Sequence, residues 1–333
     1  MKTFKLRIAI IGDGGWGTTL AVLLAKKGYD LTLWGAFKGY TETMIKTRVN
    51  PKFLPGIKIP SQIKITSDIK KAVTDKEIIV LAVPSQYTRL TLKKMVGNFT
   101  KKTIFLSVTK GIEVGSSKRI SEVVQAELGP VRLAVLSGPT IASEVANQIP
   151  TTAVVASTDQ GIRKIIQTVF STKRFRVYTN SDVVGVELGG SLKNVIAIAC
   201  GVSDGLGFGT NTKAAILTRG IAEISRLGIA MGAKLKTFSG ISGLGDLVTT
   251  CISTQSRNRR VGELIGRGKN LKEICQHMQM VAEGVPTAKS AYALSLKFKI
   301  DMPIVKEVYQ LLYKHKSPCL AVEDLMARKN KEE

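Results

Sequence analysis

The fold is decided by the stretch Arg7-Ile8-Ala9-Ile10-Ile11-Gly12-Asp13-Gly14-Gly15-Trp16-Gly17. An apolar, β-branched run, Leu6–Ile11, predicts a strand that leads directly into G-x-G-x-x-G. A helical stretch, Thr18–Lys27, follows, and Leu31–Trp34 predicts a second strand. A glycine turn without a ligand is the alternative. The strand, helix and second strand in this order favour a dinucleotide-binding βαβ unit.

Each glycine of the motif has a physical role in holding a dinucleotide. Gly12 permits the tight turn after the strand, Gly14 lets the backbone approach a pyrophosphate, and Gly17 allows the helix to pack closely on the sheet. The amino terminus of the helix faces the phosphates, where its N–H groups and dipole favour an anion. We therefore predict a site for NAD(H) or NADP(H) at this loop.

The choice between the two cofactors depends on the residues after the second strand. NAD-binding units usually carry an acidic residue there for the ribose hydroxyls, but the chain reads Trp34-Gly35-Ala36-Phe37-Lys38. Lys38 favours NADP(H) if it meets a 2′-phosphate, and it is otherwise one more solvated lysine. Asp13 is unexpected beside a pyrophosphate unless its side chain turns away. Its place in the chain argues against a role as the ribose ligand.

Short apolar strands alternate with helical stretches up to about residue 180, which predicts a doubly wound, Rossmann-like α/β sheet. The predicted strands are Leu6–Ile11, Leu31–Trp34, Ile78–Val83, Thr103–Val108, Arg132–Leu136, Thr152–Ala156 and Phe175–Tyr178. The predicted later helices are Ala214–Leu227, Arg259–Ile265, Val285–Phe298 and Ile304–Tyr313. We expect an NAD(P)-binding domain at residues 1–185 and an all-helical substrate-binding domain at residues 186–333.

The composition excludes several classes of protein. With 333 residues, 44% of them hydrophobic, the chain can form two folded domains and is not disordered. Four scattered cysteines and two histidines provide neither a disulfide framework nor a zinc site, so we predict no metal. No apolar run reaches the roughly 18 residues of a membrane span, and no signal-peptide core follows the amino terminus. We expect a soluble, cytoplasmic protein.

The chain is strongly basic, because 49 Lys and Arg residues against 25 Asp and Glu give a net charge of +24. The positive residues are spread along the chain rather than collected in a tail. Such a field attracts anionic ligands and gives weak, salt-sensitive adhesion to nucleic acid. A dedicated nucleic-acid-binding protein is an alternative interpretation, but the diffuse charge and the lack of a recognisable binding motif disfavour it.

Small and polar residues follow three of the predicted strands. These turns read Val83-Pro84-Ser85, Val108-Thr109-Lys110-Gly111 and Leu136-Ser137-Gly138-Pro139-Thr140. Ligands bind at the carboxyl ends of strands in such sheets, and Lys110 is placed to meet an anion or a polarised carbonyl. Each turn is also compatible with an ordinary strand-to-helix connection. Three in succession favour a functional interpretation.

A lysine is the best candidate for proton transfer. Oxidation of an alcohol needs a base, and reduction of the ketone needs the same group as an acid. Lys193 lies in the mostly apolar stretch Val186–Ala199, so we expect it to be buried beside a second cation, Lys110 or Arg257. The alternative is a lysine that extends from a helix edge into solvent.

Two further segments of the second half carry polar groups with a chemical interpretation. Asp246 follows Gly243-Leu244-Gly245, and it orients a substrate hydroxyl or Lys193, caps a helix, or does both. The segment Ser256-Arg257-Asn258-Arg259-Arg260 concentrates donors before an amphipathic helix. Its first arginine suits a phosphate group, whereas we assign Arg259 and Arg260 to a solvated basic face.

The sequence resembles the bacterial NAD(P)-dependent glycerol-3-phosphate dehydrogenases over nearly its whole length. The resemblance is carried by the glycine loop with Thr18, Phe53-Leu54-Pro55, Thr109-Lys110-Gly111, Ser137-Gly138-Pro139-Thr140, Glu187-Leu188-Gly189-Gly190-Ser191-Leu192-Lys193-Asn194, Gly243-Leu244-Gly245-Asp246-Leu247, Ser256-Arg257-Asn258-Arg259 and Val281-Ala282-Glu283-Gly284. Many dehydrogenases share the glycine loop, whereas the later motifs together are much more specific.

The resemblance implies reversible hydride transfer between a nicotinamide and carbon 2 of dihydroxyacetone phosphate or glycerol 3-phosphate, in glycerophospholipid synthesis. It implies that Lys193 is the proton acceptor. The substrate-binding positions that it implies are Lys110, Gly138, Thr140, Lys193, Asp246, Ser256, Arg257 and Asn258. The cofactor positions are Gly12, Gly14, Gly15, Trp16, Gly17, Lys110, Ala142, Arg257, Val281 and Glu283. The family often has His or Arg where Ala36 stands.

Two further expectations complete the sequence analysis. A reductase of the same fold that acts on another hydroxyacid or ketoacid is the second enzyme interpretation, and a phosphate pocket at Ser256 and Arg257 distinguishes the two. We expect a homodimer, because two-fold dimers are the commonest assemblies. We expect no specific nucleic-acid partner and no membrane span.

Overall fold

The computed structural model describes residues 6–278, 280–330 and 332. These residues form two compact units. The first unit contains the described residues up to Lys110 together with Lys118–Glu187, and the second contains Gly111–Ser117 and the described residues from Leu188 onwards. No sequence feature indicated that the short segment Gly111–Ser117 groups with the helices of the second unit. The predicted division after residue 185 stays a prediction.

The first unit is built on an eight-stranded sheet. The strands of the chain are β1 Arg7–Ile11, β2 Asp30–Trp34, β3 Val49–Asn50, β4 Leu54–Lys58, β5 Lys64–Thr66, β6 Ile78–Leu81, β7 Ile104–Ser107, β8 Arg132–Ser137, β9 Thr151–Ala156 and β10 Phe175–Asn180. The order in the large sheet is β10-β9-β8-β7-β6-β1-β2-β5, and β3 pairs with β4 separately. All neighbours in the large sheet are parallel except β8 and β9.

Alternate residues of the central strands pack on opposite faces of the sheet. In β1, Ile8 and Ile10 belong to one hydrophobic core, and Ala9 and Ile11 belong to the other. All four side chains are fully buried. A strand that is covered on both faces must be apolar along its whole length, which explains the near-continuous apolar runs of the sequence.

Helices cover both faces of this sheet. They are α1 Gly15–Ala25, α2 Lys38–Thr47, α3 Ile69–Val73, α4 Ser85–Lys93, α5 Ile120–Leu128, α6 Ala142–Ala146 and α7 Gln160–Phe170. Leu20 of α1 and Ile166 of α7 lie in the core on one face, and Leu92 of α4 and Val123 of α5 lie in the core on the other. The predicted doubly wound, Rossmann-like fold is therefore confirmed.

The second unit is helical. Its helices, with the one that leads into it, are α8 Val183–Gly205, α9 Thr210–Ala230, α10 Leu235–Phe238, the π-helical turn Ile241–Gly245, α11 Asp246–Ile252, α12 Arg257–Gly266, α13 Leu271–His277, α14 Gly284–Phe298, α15 Pro303–Tyr313 and α16 Pro318–Met326. No strand follows Asn180 in the residues that the structure describes, as predicted. Helix α8 is long and apolar enough to cross a membrane, but 83% of its most apolar window is buried inside the protein, as in a core helix.

The sheet differs from the sequence prediction in two respects. The seven predicted strands are present with ends within two residues, but β3, β4 and β5 were not predicted. Strand β4 contains Pro55 and Gly56, which obscure a strand pattern. The antiparallel β8–β9 pair was also not predicted. The connection between these strands contains only the five-residue helix α6, which is too short to act as a crossover helix.

Candidate functional site

The glycine loop joins β1 to α1, and its backbone requires glycine. Gly12 has φ +125°, and a Cβ atom there would lie 2.7 Å from the carbonyl carbon of Ala82. A Cβ atom on Gly17 would lie 1.9 Å from the carbonyl oxygen of Gly12. A Cβ atom on Gly14, in contrast, would meet no atom within 4 Å, so a ligand can approach this part of the backbone.

The start of α1 fits the pyrophosphate of a dinucleotide. Gly14 is the N-cap and provides no capping side chain, and the first turn contains no acidic residue. The first N–H groups of the helix are therefore donors for an anion, and the helix dipole favours negative charge at this end. Two other segments pack beside the loop, because a Cβ on Gly15 would lie 2.6 Å from the Phe53 carbonyl oxygen and 3.7 Å from Cβ of Ala142.

Trp16 lies in the first turn of α1, and the cofactor-binding role predicted for it stays a prediction. The ring packs on the core of the first unit, and its centroid lies 6.4 Å from that of Phe175. The indole Nε1 atom is buried and has no hydrogen-bond partner among the described residues. The backbone N–H of Trp16, rather than its ring, is therefore the part available to an anion at the start of α1.

The three turns at the carboxyl ends of β6, β7 and β8 come together as expected. Lys110 Nζ donates to the Gly138 carbonyl oxygen at 2.7 Å and to Thr140 Oγ1 at 3.2 Å. Thr109 Oγ1 donates to the Val83 carbonyl oxygen at 2.8 Å. The side chain of Lys110 thus links two strand ends and places a cation at this edge of the sheet.

The segment after β2 is exposed and carries no acidic side chain. Ala36 and Lys38 are both exposed, and Lys38 is the first residue of α2. Gly35 is buried, and the carboxylate of Asp13 lies beside it. The Asp13 side chain has therefore turned away from the open space at Gly14, as the sequence analysis required of a carboxylate near a pyrophosphate.

In the second unit, Lys193 is buried against a carboxylate. Lys193 and Asp246 are 5% and 1% exposed, and Lys193 Nζ forms an ion pair with Asp246 Oδ1. Nζ also donates to Thr250 Oγ1 at 2.6 Å, and that hydroxyl donates to the Asp246 carbonyl oxygen at 2.7 Å. The sequence predicts a second cation beside Lys193, whereas the structure places a carboxylate there. An adjacent carboxylate favours the charged ammonium form.

Small residues make this ion pair possible. A Cβ atom on Gly189 of α8 would lie 2.5 Å from the carbonyl oxygen of Ser242, in the π-helical turn. The turn therefore packs directly on α8, one helical turn before Lys193. The turn leads into α11 at Asp246, whose N-cap residue is Gly245. Asp246 is thus not an N-cap, and of the predicted alternatives the structure supports the one in which it orients Lys193.

Two asparagines continue this polar cluster. Asn258 Nδ2 donates to Asn194 Oδ1 at 2.9 Å, and Asn258 Oδ1 accepts from the backbone N–H of Gly284 at 2.8 Å. Both asparagines are buried. The side chain of Asn258 therefore joins α8, α12 and the start of α14. The Asn258 side chain thus holds the amide of Asn194, the residue that follows Lys193 in the chain.

Helix α12 carries the predicted phosphate-binding segment at its amino end. Ser256 is its N-cap, and Ser256 Oγ accepts from the Arg259 N–H at 3.2 Å. Arg257 is exposed, and its Nη1 donates to the Val281 carbonyl oxygen at 2.8 Å. This bond uses one of five guanidinium donors. Val281 is thereby placed beside Arg257, and Glu283 is the half-buried N-cap of α14.

The two remaining arginines of this segment differ. Arg260 is on the solvated face as predicted, with its side chain 53% exposed. The prediction for Arg259 is wrong, because its Nε donates to Asp204 Oδ2 of α8 at 2.6 Å. Its side chain is only 17% exposed. The arginine is held there because α12 packs closely on α8.

Glycines bring these two helices into direct backbone contact. A Cβ on Gly201 of α8 would lie 1.9 Å from the Arg259 carbonyl oxygen, and a Cβ on Gly262 of α12 would lie 2.0 Å from the Ile198 carbonyl oxygen. Only glycine permits such an approach. The position of Arg257 relative to Lys193 therefore depends on residues far from either side chain.

The sequence analysis did not include Thr250 and Asn194 among the site residues. Thr250 follows Asp246 by four residues, so the two lie on one face of α11, and this spacing was the available signal. His277 and His315 are exposed, and Cys200 and Cys251 are buried free thiols. No cluster of metal-binding side chains occurs in the part of the chain that the structure describes.

Two family models match the chain in sequence. The model of the N-terminus of NAD-dependent glycerol-3-phosphate dehydrogenase matches residues 7–163, and the model of its C-terminus matches residues 182–323. The chain belongs to the NAD-dependent glycerol-3-phosphate dehydrogenase family. The resemblance stated from the sequence is therefore confirmed, and the protein is an NAD(P)-dependent oxidoreductase.

Relatives of this family match almost end to end. A glycerol-3-phosphate dehydrogenase [NAD(P)+] of Prosthecochloris aestuarii is 50% identical over 98% of this chain and 99% of its own length. One from Thermoanaerobacter is 50% identical over the same shares of the two chains. The crystal structure of glycerol-3-phosphate dehydrogenase from Coxiella burnetii matches with a TM-score of 0.95 and 41% identity, over 98% of this chain and all of that chain.

Proposed function

We propose that the protein reduces dihydroxyacetone phosphate to glycerol 3-phosphate, reversibly, with Lys193 as the general acid and base. The observation that carries the residue assignment is the buried Lys193–Asp246–Thr250 cluster, in which a charged amine is held by two oxygen atoms. A bound NAD(P)H supplies the hydride for carbon 2 of the ketone. The proton that completes the alcohol comes from Nζ of Lys193.

The chemistry of the cluster follows from its charges. In the direction of reduction, the ammonium of Lys193 polarises the carbonyl and then donates its proton to the ketone oxygen. In the reverse direction the neutral amine accepts the hydroxyl proton. Asp246 stabilises the ammonium form, and the hydrogen bond from Nζ to Thr250 Oγ1 helps to fix the orientation of the ammonium group. One proton is exchanged with solvent in each turnover, which balances the reaction.

We assign the substrate phosphate to the amino end of α12. Arg257 presents a guanidinium fork that matches phosphate oxygens, and the helix terminus with Ser256 and Asn258 adds donors. We assign further substrate contacts to Lys110, Gly138 and Thr140 of the first unit. The Lys110 side chain already spans the two other residues, so one cation is held at a fixed place.

We assign the cofactor to the glycine loop. Gly14, Gly15, Trp16 and Gly17 would hold the pyrophosphate with the N–H groups at the start of α1. Gly12 would make the tight turn before them, because its N–H donates to the Trp34 carbonyl oxygen. Additional cofactor contacts are assigned to Lys110, Ala142, Arg257, Val281 and Glu283. The division at residue 185 separates the proposed cofactor-binding domain from the proposed substrate-binding domain. We further propose a cytoplasmic homodimer that supplies glycerophospholipid synthesis.

Steady-state kinetics of three variants test these assignments. Lys193→Met removes the proton donor at nearly constant size, and kcat should fall by about 100-fold to 10,000-fold while cofactor affinity is kept. Arg257→Ala should raise KM for dihydroxyacetone phosphate by about 10-fold to 100-fold, because charge-assisted hydrogen bonds are lost. Arg260→Ala, which removes the same charge three residues along α12, is the control and should leave KM unchanged.

Two results would refute the assignments separately. A Lys193→Met enzyme with the wild-type kcat removes Lys193 from the proton transfer. An Arg257→Ala enzyme whose KM changes no more than that of Arg260→Ala removes Arg257 from the phosphate site. An unphosphorylated analogue of the substrate should bind wild type and Arg257→Ala equally weakly.

A further inference from the structure

The glycine loop contains a buried carboxylate that the proposed reaction does not use. Asp13 is 8% exposed, and its Oδ2 atom has no hydrogen-bond partner among the described residues. Burial raises the pKa of the Asp13 carboxyl, whereas the charge of Lys52 lowers it. A buried acceptor without a donor is unfavourable in the unliganded protein, so a ligand with hydroxyl donors would account for it.

The Asp13 side chain lies at the carboxyl end of β2. A Cβ atom on Gly35 would be 2.4 Å from Oδ2 and 2.8 Å from Cγ of Asp13. Gly35 directly follows β2, the position at which NAD-binding units usually carry the acid for the ribose hydroxyls. The carboxylate of Asp13 therefore occupies the volume that a side chain at residue 35 would fill.

The surrounding residues hold the carboxylate in this place. Asn50 Nδ2 donates to the Asp13 carbonyl oxygen and to Thr18 Oγ1, at 2.7 Å each. Thr18 Oγ1 also donates to the Asp13 carbonyl oxygen, at 3.2 Å. The backbone of residue 13 is thus fixed from two sides, and the missing side chain of Gly35 leaves room for the carboxylate.

We propose that Asp13 selects NADH over NADPH by accepting hydrogen bonds from the 2′ and 3′ hydroxyls of the adenosine ribose. This inference rests on the proposed cofactor site at the glycine loop. A 2′-phosphate carries nearly two negative charges and offers no matching donors, so a buried carboxylate repels it. Lys38 is exposed, and its attraction for that phosphate is screened by solvent and salt.

The place of Asp13 in the chain, before α1 rather than after β2, argues against a role as the ribose ligand. The structure changes this conclusion, because the carboxyl ends of β1 and β2 are neighbours in the parallel sheet, with Ile11 paired to Trp34. The residue after Gly12 therefore reaches the end of β2. Asp13, which follows β1, can therefore take the place of the acidic residue that is missing after β2.

Direct binding of the two cofactors to the full-length protein tests the proposal. Wild type should bind NADH more tightly than NADPH, as measured by isothermal titration calorimetry. Asp13→Asn should weaken NADH binding by about 10-fold to 100-fold, because hydrogen bonds to a charged acceptor are worth that factor. NADPH binding should stay the same or become tighter.

A matched control and a second variant keep the test decisive. Asp75→Asn removes the same charge from an exposed residue that precedes β6, at the opposite edge of the sheet, and should leave the NADH to NADPH ratio unchanged. Asp13→Ala should reduce the ratio at least as much as Asp13→Asn. Both Asp13 variants should melt no lower than wild type without cofactor, because they remove a buried carboxylate whose Oδ2 atom has no hydrogen-bond partner among the described residues.

Three results would overturn the proposal, and they differ in meaning. Equal changes in the two affinities on substitution of Asp13, with a lower melting temperature, would make it a structural residue. A wild-type protein that binds NADPH as tightly as NADH would remove the selection itself. If wild type binds neither cofactor, the glycine-loop site is wrong and the assignment of Asp13 fails with it.

Discussion

Replacement of Asp246 by Asn tests the central cluster, because it removes the charge opposite Lys193 and preserves the shape. The Lys193 side chain is 6% exposed, so its ammonium would be left almost without solvent. Loss of one partner of a buried ion pair costs about 3–5 kcal/mol. Deprotonation limits this cost, since an ordinary lysine has a pKa near 10.4 and holding it neutral at pH 7 costs about 4–5 kcal/mol.

The two limits agree, so we expect Asp246→Asn to lose about 3–5 kcal/mol of stability at pH 7. If the buried lysine is neutral in the folded variant, the unfolded chain binds one more proton, and the free energy of unfolding must rise with pH up to about pH 10. Wild type lacks this contribution. Chemical denaturation at several pH values measures the difference between variant and wild type.

Activity provides the second readout of the same substitution. A neutral amine cannot donate the proton, so kcat for ketone reduction should fall by about 100-fold or more at pH 7 and recover as the pH is lowered. Thr250→Val is the comparison, because it keeps the ion pair and removes the two hydrogen bonds of the Thr250 hydroxyl, from Lys193 Nζ and to the Asp246 carbonyl oxygen. An Asp246→Asn enzyme with wild-type kcat and a pH-independent stability difference would refute the reasoning.

Two further predictions concern helices α9 and α12 of the second unit. Burial raises the pKa of Glu223 from 4.5 to about 7, although it accepts hydrogen bonds from the N–H groups of Ile304 and Val305. The folded state therefore holds an extra proton between these pH values. The free energy of unfolding of wild type should fall by about 3 kcal/mol as the pH rises from about 4.5 to about 7. The free energy of unfolding of Glu223→Gln, measured by urea denaturation, should not fall over this pH range. An equal fall in the variant and in wild type would contradict the raised pKa of Glu223. Gly262→Ala places a methyl group against the Ile198 carbonyl oxygen and should cost about 1–3 kcal/mol and raise KM for the phosphorylated substrate. Gly39→Ala, at an exposed position with no atom within 4 Å of its Cβ, should do neither.

Local patterns were sufficient for seven of the eight strands of the large sheet and for the glycine loop. The demands on Gly12 and Gly17 are imposed by neighbouring backbone, and the apolar run of β1 reports burial on both faces. Such signals are contained in a few consecutive residues. Strands β3 and β5 were missed because two or three residues carry no comparable pattern, and β4 was missed because Pro55 and Gly56 obscure its pattern.

The sequence by itself determined the fold class, the cofactor loop and the identity of Lys193 as the candidate amine, because each depends on residues that are close together in the chain. Only the tertiary structure decided between the roles predicted for Asp246 by placing its carboxylate against that amine, and only it brought Asp13 to the end of β2. Both contacts join residues from different elements. Their distances are set by how closely glycine-containing backbones pack and by which strands are neighbours, and a linear pattern does not contain this information.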